Sequence, residues 1–465
     1  MRRLAVLAPF ALAGCSLAPR TQLPPPPVPE SWPVGDAYLA QSEAGVPAVT
    51  YAEVFRDPRL HKLVETALAN NRDIRVAAAN LAAARAQVRV TRAAQFPALG
   101  VSASASETQT GTGASATTSD LYQVQGGVSS FELDLFGKLA NATQAQRDRA
   151  LSTEAAARTV RLGLVANLAS AWASYAADKD LLAIAQETAK NAQESVRLTS
   201  ARLEGGIAPR TDLSQAQQIL ATAEGNIALQ KTALAQDVNL LRLLSGTEVD
   251  PALLPASLAE IDQSFAALPA GLNSDVLLRR PDVIEAEYLL RAANANIGVA
   301  RAQLFPSISL TGLLGFASNA LSDLFASGAF SATAKGAAGW SIFNAGGASA
   351  NVAVSKAQRD AALATYEKAI QTAFRETADA LATQGTLADR LRAAHDNTEA
   401  AATTARLSDA RYKGGIDSFL TNLVAQRSLY TARQGEVAVR LASVLNRITV
   451  YRVLGGDQAT QSSAK

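Results

Sequence analysis

Enzymatic and metal chemistry starts from histidines, cysteines and paired carboxylates, and this chain offers few. His61 and His395 are its only histidines and Cys15 its only cysteine. Neither histidine has further ligands at zinc-site spacing, so no metal site is expected. Neither loop that cradles phosphates is present, whether Gly-x-x-x-x-Gly-Lys-Ser/Thr or Gly-x-Gly-x-x-Gly after a buried strand. Arg279-Arg280-Pro281-Asp282 is dense enough in charge to suggest a site, yet it reads more simply as a helix start with Pro281 tolerated in the first turn. The expectation is a protein that is not an enzyme and binds no cofactor.

Cys15 has one specific chemistry open to it. Arg2 and Arg3 precede an apolar run from Leu4 to Ala13, too short to span a bilayer, and Leu12-Ala13-Gly14-Cys15 closes it as a bacterial lipobox. Residues 1–14 are then a lipoprotein signal peptide, and cleavage leaves Cys15 with S-diacylglycerol and an N-acyl group. Several acyl chains make a firm membrane anchor. A secretory signal with a chance cysteine is the plainer alternative. Residues 15–57 continue as a lipidated cysteine and an extended strap, with Pro24 to Pro27 in one run.

The elements that must carry the remaining residues are written twice. At a shift of 209 residues, Arg92, Phe96 and Pro97 fall on Arg301, Phe305 and Pro306, and Gly137 falls on Gly346. Gly205-Gly206-Ile207 falls on Gly414-Gly415-Ile416 at the same shift. One constant shift over many anchors means two equal structural repeats. The expected boundaries are 58–245 for repeat 1, 246–274 for an equatorial connector, 275–454 for repeat 2 and 455–465 for a tail.

Composition bounds what such a molecule can be. Apolar residues are 48% and charged ones 18%, which excludes disorder. Loss of Arg2 and Arg3 takes Lys+Arg from 43 to 41, equal to Asp+Glu, so nucleic acid is not an expected partner.

Within each repeat a helix-compatible run ends at Phe-Pro, and short alternating segments follow. Leu99, Val101, Ala103 and Ala105 oppose Gly100, Ser102, Ser104 and Ser106; Ile308 and Leu310 oppose Ser307, Ser309 and Thr311. The expected partner strands are Phe131 to Leu135 and Trp340 to Phe343. After Gly137 come 67 residues with no proline and one glycine, and Gly346 to Lys413 repeats the pattern. As single helices these would be roughly 100 Å long. Such helices must turn back, and each Gly-Gly pair supplies the positive φ of a helix C-terminus. The two Gly-Gly-Ile segments are therefore tips of two helical hairpins. Four strands with one apolar face cannot lie in lipid with open edges, so closure needs further copies: two chains give eight strands, an interior that side chains fill, and three give twelve, which leave a lumen. Small and hydroxylated residues on the polar faces suit the lumen, so the expected fold class is mainly α with membrane β: a trimer with four strands per chain in a shared twelve-stranded barrel, continued by a long helical barrel.

These segments resemble the outer-membrane efflux protein (TolC-like) family, in its lipoprotein, NodT-like branch. The resemblance rests on "FRDPRLHKLVETALANNRDIRVAAAN" from Phe55, "ELDLFGK" from Glu132, "RRPDVIEAEYLLRAANANIGVARAQLFPSISLTGLLG" from Arg279, "GWSIFNAGG" from Gly339 and "RYKGGIDSFLTNLVAQRSL" from Arg411. It implies the passive exit duct of a tripartite efflux pump, a homotrimer in outer-membrane lipid that docks a periplasmic adaptor and an inner-membrane RND-type transporter. A type I secretion duct is the nearest alternative, and a periplasmic lipoprotein scaffold or adaptor a more distant one. By the same resemblance the tip residues Gly205, Gly206, Ile207, Gly414, Gly415 and Ile416 are candidates for adaptor docking. A constriction in similar channels uses a leucine, an aspartate four residues on and an arginine three further; here these positions hold Leu420, Val424 and Arg427. Without that aspartate, Leu420 and Arg427 remain gate candidates, and Asp417 and Asp212 are alternative acids near the tips. Each aspartate can equally cap a helix N-terminus.

Overall fold

A computed structural model describes residues 16–20, 23–29, 31–33, 35–38, 50–113, 116–266 and 274–456. The signal peptide and Cys15, on which the lipidation expectation falls, lie outside the described residues. In chain order the elements are α1 (Tyr51–Val54), α2 (Pro58–Asn70), α3 (Arg72–Ala93), β1 (Leu99–Thr110), β2 (Thr117–Leu133), α4 (Lys138–Glu204), α5 (Arg210–Ser245), α6 (Leu258–Ile261), α7 (Pro281–Ala302), β3 (Ser307–Ser318), β4 (Phe330–Gly339), α8 (Gly347–Lys413) and α9 (Phe419–Val453). The pairs α3/α7 and α4/α8 begin and end at the same 209-residue offset, so the duplication is one of structure. Among the described residues no helix is long and apolar enough to cross a membrane.

The chain divides into two compact units. The first contains the described parts of 1–25, 79–155 and 285–368; the second contains those of 26–78, 156–284 and 369–465.

The first unit holds one antiparallel sheet in the order β1-β2-β3-β4. Its register pairs Val101 with Gly126 and Ala103 with Val124, then Val124 with Phe316 and Gly126 with Leu314, then Leu314 with Ala332 and Phe316 with Phe330. Paired residues share a face, so one apolar surface runs across all four strands. The opposite face pairs Ser102 with Gln125, Gln125 with Gly315, and Thr311 with Lys335. A bulge between Val128 and Phe131 spends three steps of β2 on two of β3. That extra residue returns Phe131 to the apolar face, opposite Leu310. Both β1 and β4 keep one unpaired edge, and every residue of β1 is exposed.

The strand expected at Trp340 to Phe343 is not there. β4 ends at Gly339, which pairs with Ser307, the first residue of β3. Pro306 precedes it and has no N–H to extend the ladder. Trp340 leaves the sheet and donates its Nε1 to the Leu304 carbonyl at 3.1 Å. At the end of β2, likewise, Asp134 and Leu135 lie beyond the last paired residue, Leu133.

The second unit is built around Trp172 of α4, which is fully buried. Its Nε1 donates to the Leu253 carbonyl at 2.8 Å, tying the connector to the long helix. Phe55 packs edge-on against Phe265 and Tyr451, bringing α1, the connector and α9 together. Arg280, buried just ahead of α7, donates to Asp282, to Glu376 of α8 at 2.9 Å and to the Val453 carbonyl at the end of α9. The charged Arg-Arg-Pro-Asp segment is thus a packing knot at a helix start.

Candidate tip and gate site

Each long helix ends in the same way. Gly206 and Gly415 both have φ of +74°, a left-handed conformation that costs glycine little. Gly206 N–H donates to Leu203 O at 3.0 Å and Ile207 N–H to Arg202 O at 2.9 Å; Gly415 to Tyr412 O and Ile416 to Arg411 O repeat both distances. These paired bonds form the Schellman motif, in which the last helical carbonyls find partners inside the turn. Ile207 and Ile416, one residue beyond each positive-φ glycine, are left exposed. Gly-Gly-Ile is therefore a helix stop that presents an isoleucine to solvent.

Beyond that shared turn the tips differ. Arg411 clasps Asp417 in its own loop, Nε to Oδ2 at 2.7 Å and Nη2 to Oδ1 at 2.8 Å. These bonds hold the Asp417 carboxyl below the usual aspartate range. The first repeat has Ala208 at the equivalent place. Arg202 there reaches to the second hairpin instead, donating to the carbonyls of Tyr412 and Lys413 at 3.2 Å each and lying over the Tyr412 ring. Tyr412, Phe419, Leu423 and Ala216 are buried together behind it, so the two hairpins share a small apolar core next to their tips. Sequence reasoning missed this cross-link; the absence of an aspartate at 208 was its only trace.

The two aspartates do not cap helices. Ser418 is the N-cap of α9, its Oγ accepting from the Thr421 N–H at 3.3 Å, while Pro209 opens α5 without a side-chain cap. Asp212 lies in the first turn of α5 and makes no side-chain hydrogen bond or ion pair among the described residues. Leu420 and Val424, both 56% exposed, lie one turn apart on α9. Arg427 shares an open recess of about 720 Å³ with Val424, and a second of about 260 Å³ with Ile219, Asn226 and Tyr430. Leu420 lines neither recess; it stands seven residues before Arg427 on the same face of α9. His61 lies against the Phe55 carbonyl and His395 faces Glu436 at 3.4 Å. No metal-holding group of three such side chains occurs among the described residues.

The family signature described as outer membrane efflux protein matches residues 63–247 and again 272–456. The two matches are displaced by the interval that separates the tips. The chain belongs to the outer membrane efflux protein family. Among its relatives is the toluene efflux pump outer membrane protein TtgC of Pseudomonas putida, 43% identical over 99% of this chain and 96% of that one. The cation efflux system protein CusC of Escherichia coli O157:H7 is 38% identical, with 96% of each covered. The open-state MtrE outer membrane channel of Neisseria gonorrhoeae superposes with a TM-score of 0.84 at 32% identity, over 95% of this chain and 98% of that one. As an outer membrane efflux protein the chain works in the outer membrane as an efflux channel, in a family of channels rather than enzymes.

Proposed function

We propose that three copies of this chain close a twelve-stranded barrel through the outer membrane and continue it as a helical duct in the periplasm. The duct is the passive exit for small compounds delivered by an inner-membrane RND-type transporter through a periplasmic adaptor. The observation that carries this reading is the open sheet. β1 and β4 each keep an unpaired edge beside a continuous apolar face, and lipid tolerates that combination only in a closed barrel. Four strands are too few to close, and three sets of four leave a lumen. Helix α3 has no buried residue, which gives neighbouring copies a surface to pack on.

In this reading the exposed Ile207 and Ile416, with Gly205, Gly206, Gly414 and Gly415, form the adaptor contact. Leu420 forms an apolar ring at the tip, Arg427 latches it, and Asp417 and Asp212 are the alternative acids near the tips. Cys15 carries the S-diacylglycerol and N-acyl anchor. The polar sheet face, with Ser102, Gln125 and Thr311, wets the lumen without selecting cargo, so choice falls to the pump. TtgC is named for toluene and CusC for cations, a spread that suits an unselective duct.

Planar-bilayer conductance of the purified protein, with its crosslinking pattern recorded beside it, tests the reading. A crosslinked trimer with small, mostly closed conductance that rises in Leu420→Ala or Arg427→Ala is the expected result. A monomer that never inserts overturns it.

A further inference from the structure

Beside the foot of the sheet, the strap and helices α4 and α7 enclose a recess of about 520 Å³, bordered by Ser16, Asn141, Asp148, Arg291 and Asn294. Its strap wall is pinned. Asn294 Nδ2 donates to the Pro19 carbonyl at 2.7 Å, Arg301 to the Leu17 carbonyl at 3.0 Å, and the Ser16 hydroxyl to Asn141 Oδ1 at 2.9 Å. Gly298 leaves room for this path, since a Cβ there would come within 2.9 Å of Ala18 Cβ.

Asp148 has an unmet need in the recess. It is only 5% exposed, receives one side-chain hydrogen bond, from Gln144 at 3.0 Å, and has no ion pair among the described residues. Burial pushes its carboxyl above the usual range, against the weaker pull of Arg291 and Arg147. A buried carboxylate without a cation is costly, and an ammonium group would relieve it. Asn141, 6% exposed, forms the wall: its Oδ1 holds Ser16, and its Nδ2, with no acceptor, packs against Gly298. Arg291, at the rim, pairs with Glu287 and lies 5.2 Å from the Tyr288 ring centroid. A guanidinium has five N–H donors, so the Glu287 pair leaves some for a phosphate.

Depth supplies the next step. Asn141 lies about 5 Å and Asp148 about 15 Å along α4 from its first residue, Lys138, which follows the last strand residues. The recess thus begins where headgroups meet a barrel. An acid and a guanidinium in one recess suit a zwitterion better than an anion, which Asp148 would repel.

We propose that this recess is a headgroup site for a zwitterionic aminophospholipid, Asp148 receiving the ammonium and Arg291 the phosphate. The inference rests on the outer-membrane placement of the sheet given above.

Native mass spectrometry of the detergent-solubilised full-length protein tests it with dioleoyl phosphatidylethanolamine, dioleoyl phosphatidylglycerol and soluble glycerophosphoethanolamine. Wild-type protein is expected to retain one ethanolamine lipid per chain, about tenfold in preference to the glycerol lipid, the scale of one charge-assisted contact. Asp148→Asn is expected to erase that preference, while Arg291→Gln weakens retention of both lipids. Displacement by glycerophosphoethanolamine would assign recognition to the headgroup alone, and resistance to it would assign a share to the acyl chains; the site stands in either case if the preference holds. Equal retention of both lipids by the wild type overturns the inference without recourse to any variant. A protein that conducts as a trimer yet shows no preference sinks this site and leaves the duct standing.

Discussion

The guanidinium of Arg202 lies 4.4 Å from the centroid of the Tyr412 ring, so the first hairpin tip is fastened to the second across 210 residues of chain. Cation–π contact and two carbonyl hydrogen bonds make this worth about 1–2 kcal/mol, roughly tenfold in the ratio of fastened to released tips. Arg202→Ala is expected to raise mean single-channel conductance. Arg202→Lys should restore it only in part, because an ammonium cannot both stack flat and fork between two carbonyls. Equal conductance in wild type and Arg202→Ala would show that the hairpins are held elsewhere.

The Arg411–Asp417 clasp predicts an acid response with a definite sign. Its hydrogen bonds lower the Asp417 pKa from 3.8, so the clasp contributes fully above that value and is lost as pH falls through the lower folded one. Conductance attributable to this loop should be flat through neutral and mildly acidic pH and change only below about 3.8. Asp417→Asn should show the acid-form behaviour already at neutral pH. A titration that bends well above 4 in wild type but not in this variant would contradict the assignment.

Much of this was legible because it is local in the chain. Gly-Gly-Ile specifies its own turn, and the repeat made it visible twice. Alternation in Leu99 to Ala105 and Ile308 to Leu310 matches the faces that the sheet register joins across strands, since side chains of a pleated strand alternate sides. The fourth strand was misplaced because residues 330–339, rich in alanine and glycine, alternate weakly, whereas Trp340 to Phe343 look more strand-like than their pairing allows. Arg202 on Tyr412 and the recess at Asp148 depend on helices meeting side by side, which no spacing within one helix reports. Asp417 looked like a cap because it precedes a helix; a nearby arginine competed for it and won.

Arg280 is the residue whose loss should cost most in stability. It is nearly buried and satisfies Asp282, Glu376 and the Val453 carbonyl at once. Arg280→Ala removes the donor to Glu376 and the Val453 carbonyl and leaves Asp282 only the Val283 N–H, a loss of about 2–4 kcal/mol. Arg280→Lys should recover little, because one ammonium cannot span three acceptors. Thermal unfolding of the purified proteins checks this, and an unchanged midpoint in Arg280→Ala would show that the knot is dispensable.

Gly206 and Gly415 predict a smaller, matched effect. Alanine at φ of +74° is strained, so each single substitution should cost about 1 kcal/mol and the pair should add, being on separate turns. Chemical denaturation checks the sum. If the tips are also the adaptor contact, the double variant should lose site-specific crosslinking to the adaptor while still forming trimers.

Asp178 of α4 and Asp237 of α5 lie close enough for each to perturb the other's ionisation, and Asp237 Oδ2 is buried with no hydrogen-bond partner. Burial, then the neighbouring Asp178 charge, pushes Asp237 up to about 7, and Tyr175 is the other titratable group beside it. The folded protein therefore holds a proton that the unfolded chain releases near 3.8. Stability from this pair is greatest at acid pH and declines as pH rises, until it is gone above about 7. Both groups are partly open to water, so the contribution is on the order of 1 kcal/mol after screening. Asp237→Asn removes the repulsion. Its melting temperature should match wild type near pH 4, pull ahead progressively as pH rises, and exceed it by a few degrees at pH 8. Parallel melting curves across that range would mean that the two helices accommodate both charges, and that no proton is held between them.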